Sequence, residues 1–106
     1  MISWEAISSK KIDTTEALFP SDTIYSGALS ASTEQQVTVP TGADFALFNA
    51  TGDYYVNYDT TAAVPTGTIS EAGGEINPVH RYVGETTTIH IISASDILVS
   101  ITFYAK

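Results

Sequence analysis

His80, Arg81 and His90 are the side chains in this sequence best suited to catalysis, and such residues are scarce. Arg81 is the only Lys or Arg between Lys11 and Lys106, and the two histidines are the only ones in the chain. A nucleophilic Ser or Thr would need one of these imidazoles as its base. No Gly-x-Ser-x-Gly turn accompanies them. We therefore expect no catalytic residues and a protein that is not an enzyme.

No metal-binding pattern joins the histidines to other ligands. The chain contains no cysteine, which excludes cysteine-ligated zinc and iron–sulfur clusters. Asp53, Asn57 and Asp59 share one face of a predicted strand, but alternate strand residues lie about 7 Å apart, whereas calcium ligands usually converge from a tight loop. The glycine-rich "GTISEAGGE" lacks the lysine of a P-loop. We expect neither a metal nor a cofactor.

Arg81 follows the turn predicted at Pro78, in the stretch "GGEINPVHRYVGE". A lone arginine in an acidic domain should lie beside a carboxylate, because its planar guanidinium pairs with one through two hydrogen bonds. The nearest candidates are Glu71, Glu75 and Glu85. The pattern indicates a charge-paired loop anchor or a salt bridge between subunits.

Acidic residues dominate the charge of the chain. Twelve Asp and Glu against four Lys and Arg give a net charge of −8 over 106 residues. Such a surface repels phosphate backbones, and no basic stripe overcomes that repulsion, so direct binding of nucleic acid is not expected. Neither a secretory signal nor a run of about 20 apolar residues is present. We expect a soluble protein made in a cytoplasm, without a membrane partner.

A period of two in the apolar residues predicts strands throughout the body of the chain. In "DILVSITFYA" the apolar residues on one face are Ile97, Val99, Ile101 and Phe103. In "TTTIHIIS" Ile89 and Ile91 lie together, which places His90 on the opposite face, at the surface or at a subunit contact. The intervening "SASD" is a turn signal. We expect these last two strands to form an antiparallel hairpin.

The upstream strands follow the same logic. A short strand is predicted through Val37 and Val39, and another in which Phe45 and Leu47 share a face. After Thr51-Gly52, "DYYVNYD" is predicted to place Tyr54, Val56 and Tyr58 on one side. This strand is expected to form a second hairpin with the one before it, and further short strands are predicted near residues 68–70 and 81–83.

Short strands at intervals of roughly 8 to 12 residues, without a helical period, predict an all-β domain. We expect a single antiparallel β-sandwich or barrel spanning residues 23–106, with a jelly roll as the first choice. Residues 1–22 carry irregularly spaced apolar residues. They are expected to form either an extended N-terminal arm or a first pair of strands.

Tyrosines cluster in or beside the predicted strands at positions 54, 55, 58, 82 and 104. A tyrosine offers a flat apolar ring with a polar end, which suits both sugar-binding faces and protein interfaces. Core packing is the competing role for part of this group. Tyr54, Tyr55 and Tyr58 are the candidates for contact with a ligand or partner.

The last two thirds of the chain resemble small β-rich virion proteins of tailed bacteriophages, particularly capsid decoration (cement) proteins and related head or tail accessory proteins. The resemblance lies in "FALFNATGDYYVNYDTTAAVPTGTISEAGGEINPVHRYV" and "TTTIHIISASDILVSITFYAK". It implies a protein on the capsid surface of a virion, binding the major capsid protein or other virion proteins as a trimer or dimer. The family supplies no catalytic residues.

The leading expectation is therefore a non-enzymatic decoration protein that stabilises the capsid lattice. The alternative is a carbohydrate- or receptor-binding β-sandwich module of a phage tail or another surface assembly, which would use the tyrosines. The candidate interface residues are Trp4, Lys10, Lys11, Tyr54, Tyr55, Tyr58, His80 and Arg81.

Overall fold

Eight β-strands form the part of the chain that the structure describes. The computed structural model describes residues 1–2, 20–70 and 74–106. The strands are β1 (Ile24–Leu29), β2 (Gln35–Thr38), β3 (Phe45–Ala50), β4 (Tyr55–Tyr58), β5 (Glu75–Ile76), β6 (His80–Tyr82), β7 (Thr88–Ile92) and β8 (Ile97–Tyr104). In this part of the chain no helix is long and apolar enough to cross a membrane.

The strands build two antiparallel sheets of four strands each, in the order β1-β8-β3-β6 and β2-β7-β4-β5. Pairing is nested: β1 lies beside β8, β2 beside β7, β3 beside β6 and β4 beside β5. This is the arrangement of a jelly roll, in which a long antiparallel ribbon folds over into a sandwich. The predicted all-β sandwich is confirmed, and the chain has the predicted jelly-roll topology.

The core lies between the inner faces of the two sheets. On β8, Ile97, Ile101 and Phe103 are buried as the alternation predicts, and Val99 is half-buried on the same face. Facing them from the second sheet are Val56, Ile89 and Ile91, all buried. Since both sheets are amphipathic, stacking their apolar faces removes most of the large aliphatic side chains from water.

Both predicted hairpins are wrong. β3 and β4 belong to opposite sheets, and so do β7 and β8. The turn after β7 carries the chain across the sandwich: the Ser93 hydroxyl donates to the Asp53 carbonyl at 2.7 Å and accepts from the Ser95 amide at 3.1 Å. A two-residue period specifies which face of a strand is buried. It does not specify the strand beside it, and a short turn can join neighbours or cross between sheets.

Two strand assignments also change. Residues 68–70 form no strand but bends and irregular chain, and the last strand before β7 runs from His80 to Tyr82 rather than from 81 to 83. On β3, Phe45 and Leu47 do share a face, but it is the half-buried outer one. Ala46 and Phe48 fill the core.

The chain ends that flank residues 3–19 meet on the body of the domain. The Ile2 carbonyl accepts from the Ala105 amide at 2.8 Å, and the Ile2 amide donates to the Ser21 hydroxyl at 3.4 Å. Ser21 in turn donates to the Phe103 carbonyl at 2.7 Å. The predicted arm or strand pair, including Trp4, Lys10 and Lys11, lies almost entirely outside the described residues.

Candidate functional site

Arg81 and Glu75 form a salt bridge that joins the two sheets along one side of the sandwich. Arg81 lies on edge strand β6 opposite Ala46, and Glu75 lies on edge strand β5 opposite Val56. Because Ala46 and Val56 are both fully buried, the two charged residues occupy inward-facing positions at the rim. The guanidinium Nη2 donates to Glu75 Oε2 at 2.7 Å, and Nε lies 3.0 and 3.1 Å from the two oxygens.

Tyr58 completes this cluster from β4. Its hydroxyl donates to Glu75 Oε1 at 2.8 Å. Hydrogen bonding from Arg81, helped by the Tyr58 hydroxyl and opposed by burial, holds the pKa of Glu75 below its ordinary value. Burial, reinforced by the neighbouring Glu75 carboxylate, raises the pKa of Tyr58. The cluster therefore holds a charged carboxylate beside a neutral phenol near neutral pH.

The carboxylate that pairs with Arg81 is thus Glu75 and not Glu85. Glu71 lies outside the described residues. Arg81 also donates from Nη1 to its neighbour's carbonyl, that of His80, at 2.6 Å. The side chains of Arg81 and Glu75 are 44% and 40% exposed. The pair lies at the rim of the sandwich, so its edge remains open to a partner.

The turn before β6 is held by Tyr54 and Asn77. Asn77 has a φ of 49°, a left-handed conformation that asparagine tolerates better than most residues. The side-chain carbonyl of Asn77 accepts from the Tyr54 main-chain amide at 3.0 Å. The main-chain amide of Asn77 donates to the Tyr54 main-chain carbonyl at 2.9 Å. The Tyr54 hydroxyl donates to the Pro78 carbonyl, and burial raises the pKa of this phenol. The side chains of Asn77 and Tyr54 thus fix this turn by bonding to main-chain groups.

His90 lies on the outer face of its sheet, as predicted, but its expected exposure is wrong. Only 9% of the residue is accessible. Nδ1 lies 3.1 Å from Glu34 Oε1, and the other oxygen of Glu34 accepts from the Ala62 amide at 2.6 Å. Glu34 thereby links the imidazole to the main chain at Ala62. Sequence periodicity could not predict the contact between His90 and Glu34, because Glu34 and Ala62 are far from His90 in sequence.

Glu34 is the residue that sequence reasoning missed at this position. Burial opposes its ionisation, but hydrogen bonds from His90, the Ala62 amide and Gln36 together hold the pKa of Glu34 below its ordinary value. The His90 and Glu34 side chains are 11% and 19% exposed. Their contact fastens the connection between β4 and β5 onto the outer face of the second sheet. Both members of the pair are used in packing the fold.

The predicted tyrosine set does not form one surface. Tyr54 and Tyr58 face the core, and each hydroxyl is engaged as described above. Of Tyr54, Tyr55 and Tyr58, only Tyr55 faces outward, where it lines a groove of ≈ 760 Å³ together with Ile76 and residues 63–70. His80 is exposed on the outer face opposite Leu47. The structure therefore separates the candidate interface residues into an inner cluster and two outer positions.

A second outer surface was not predicted from the sequence. The outer face of β1 and β8, with the end of β3 beside it, forms a shallow depression lined only by uncharged residues: Ser26, Gly27, Ala28, Asn49, Ala50, Thr51, Leu98, Val99 and Ser100. Ile24 and Leu98 are 53% and 60% exposed. The signal for it was present in the sequence, because "IYSGAL" contains no charged residue.

No group of three His, Asp or Glu side chains converges as a metal site within residues 1–2, 20–70 and 74–106. Comparisons of the chain with protein-family models, with curated proteins and with solved structures found no match. Its function therefore has to be argued from the fold and from the surfaces described above.

Proposed function

We propose that this chain is a non-enzymatic virion structural protein, a capsid decoration protein that binds the lattice of major capsid proteins and stabilises it. The observation that carries the proposal is that Arg81 and His90, two of the few side chains suited to catalysis, bond to carboxylates within the fold. Arg81 pairs with Glu75 and His90 contacts Glu34, so both are engaged in holding the sandwich together. The uncharged edge strand β1 and the outer face beside it are left exposed in the described part of the chain, and such surfaces suit contact with other proteins.

The fold agrees with this role. Jelly rolls occur in viral capsid domains as well as in lectins and cupins, so the fold by itself is compatible with several functions. A lattice presents the same site many times, so modest contacts at each copy add up to firm attachment when a decorating protein engages more than one site. An acidic surface outside the contact region keeps the free protein soluble before it attaches.

The experiment that tests this proposal is titration of the purified protein onto undecorated capsids assembled from the major capsid protein encoded alongside it. We expect binding to saturate at a fixed ratio of the two proteins and the melting temperature of the capsid to rise, because a ligand that binds only the assembled state stabilises it. Absence of binding would overturn the proposal.

A second candidate function is recognition of carbohydrate or a receptor, and the groove beside Tyr55 favours it. The exposed face of Tyr55, with Ile76 and the 63–70 loop around it, offers an apolar platform next to main-chain polar groups. A glycan array followed by calorimetry tests this role. Tyr55→Ala should abolish any binding found, whereas Tyr82→Ala, which changes an exposed tyrosine in the other sheet, should leave it intact.

A further inference from the structure

β1 is an edge strand whose own residues include none of the types that normally protect such strands. It pairs with β8 along one side, and no other described strand lies along its second side. All of its residues except Leu29 are exposed. Natural edge strands are usually blunted by charged residues, proline, bulges or a covering segment, and the six residues of "IYSGAL" include no charge and no proline.

The hydrogen-bonding groups on this edge can be assigned. The Ala28 carbonyl accepts from the Gln35 side chain at 2.7 Å, so the main chain at Ala28 points away from β8. Main-chain groups alternate between the two sides of a strand. The N–H and C=O groups of Ile24 and Ser26 therefore also point away from β8, along the open edge. These groups can extend the sheet by one more strand.

The surroundings of the edge favour another copy of the same chain over a charged partner. Two molecules that each carry a net charge of −8 repel one another, so they can associate closely only through a surface free of carboxylates. The β1 edge is such a surface, because none of its six residues is charged. Ile24 exposes apolar area at this edge, part of which association would remove from water.

We propose that two copies of this chain pair through their β1 strands, antiparallel across a twofold axis, to form a dimer with one continuous eight-stranded sheet. A strand that pairs with itself across a twofold axis gives a closed, self-complementary interface. Addition of a strand to an edge uses main-chain hydrogen bonds for affinity. This inference deepens the proposed function, since a dimer engages two lattice sites at once.

Sedimentation velocity over a concentration series, combined with hydrogen exchange, tests the pairing. Small interfaces bind weakly, so we expect dimerisation with a Kd of about 1–100 µM. The amides of Ile24 and Ser26 should exchange freely in the monomer and become protected as the dimer forms. Ser26→Pro removes one edge N–H that β8 does not use, and Ser26→Glu adds a carboxylate to the interface. Both should weaken dimerisation at least tenfold.

Thr66→Glu is the matched control, because it adds the same charge on an exposed residue of the distant 63–70 loop. It should leave the Kd within twofold of the wild-type value. Circular dichroism and thermal unfolding establish that each variant is folded. A wild-type protein that stays monomeric throughout the series overturns the proposal. So does protection of the Ile24 and Ser26 amides in the monomer, which would assign the edge to another part of the same chain.

The outcomes for dimerisation and for capsid binding are separable. A monomeric protein that saturates capsids would reject the β1 dimer and leave the proposed function standing. A dimer that dissociates with Ser26→Glu but never binds capsids would support the pairing and reject the function. If both hold, Ser26→Glu should bind capsids more weakly than Thr66→Glu, because the bivalent attachment is lost.

Discussion

Glu75 accepts hydrogen bonds from residues of two different strands, and both donors belong to the same polar cluster. Arg81 reaches it from β6 and Tyr58 from β4. The rim of the sandwich at β5 and β6 is short of apolar cover, because β5 has only two residues and β6 only three. A polar cluster with matched donors and acceptors can lie there without burying an unpaired charge.

Arg81→Ala should lower the free energy of unfolding by about 1 kcal/mol. Partly exposed pairs contribute up to about 1 kcal/mol, and the paired geometry of a guanidinium with a carboxylate places this one at the upper end. Urea denaturation measures the change. Arg81→Lys keeps the charge without the planar fork and should recover only part of the loss. Equal midpoints for all three proteins would show that the salt bridge contributes nothing to stability.

The stability conferred by the pair should depend on pH in the acid range. The folded-state pKa of Glu75 lies below its usual value of 4.5, so its stabilising contribution is fully present above pH 4.5 and is lost as the pH falls through the folded-state pKa. The difference in unfolding free energy between wild type and Arg81→Ala should therefore shrink on acidification from about pH 6 to about pH 3. A difference that stays constant would contradict the assignment of Glu75 as the partner.

Three of the six tyrosines should ionise late. Burial raises the pKa of Tyr54, Tyr58 and Tyr104 above the usual value of 10.0. A group whose pKa is raised by folding stabilises the fold below its unfolded pKa, so this contribution is lost as the pH rises above 10. Tyrosinate absorbance should show a late phase that vanishes in urea, and Tyr58→Phe should reduce its amplitude. A single phase near pH 10 in the folded protein would contradict the prediction.

At the scale of strands, close backbone contact explains why Gly74 precedes β5. A Cβ added at Gly74 would lie 2.7 Å from the Val56 carbonyl oxygen on β4. That oxygen belongs to the backbone of a central strand, so it cannot turn aside as a side chain would. The second sheet gains its fourth strand because this residue has no side chain.

Gly74→Ala should therefore destabilise the protein by about 1–3 kcal/mol, the cost of overpacking a tight contact. Gly67→Ala is the matched control, since a Cβ there meets no atom within 4 Å. Its effect should stay within about 0.5 kcal/mol. Chemical denaturation of both variants measures the difference, and indistinguishable midpoints would show that β5 does not depend on this contact.

Local pattern predicts the faces of the strands but not their neighbours. Ile101 and Phe103 are buried where the alternation places them, because a period of two is a property of the strand itself. The strands that pair with β4 and β8 depend on how the whole ribbon folds over. The residues of the turns before β4 and β8 do not indicate which strands those are. The contact between His90 and Glu34 was missed for the same reason, since the two residues are far apart in sequence.

The Arg81 site shows the same division. Scarcity of positive charge predicts that Arg81 pairs with a carboxylate, and proximity in sequence limits the candidates to a few glutamates. Selection of Glu75 requires that β5 and β6 lie on opposite sheets with their inward positions facing each other. That relationship exists only in the assembled sandwich, and so does the contribution of Tyr58.

At the scale of the whole molecule, the fold separates a polar, self-satisfied rim from an uncharged open edge. Arg81 and Glu75 pair at the rim of β5 and β6, whereas the opposite edge at β1 presents main-chain groups of Ile24 and Ser26 that pair with no strand in the described part of the chain. Such an asymmetry suits a protein that gains stability by packing one edge against neighbours in an assembly. It is the basis for proposing a structural role in a virion.

Titration of the purified protein onto undecorated capsids is the most direct test of the proposed function. Occupancy is measured by quantifying bound protein after sedimentation of the capsids, and capsid stability by calorimetry of the same samples. We predict that binding saturates at a fixed ratio to the major capsid protein and that the melting temperature of the capsid rises in step with occupancy. A protein that leaves both the sedimenting fraction and the melting temperature of the capsid unchanged would contradict the proposed function.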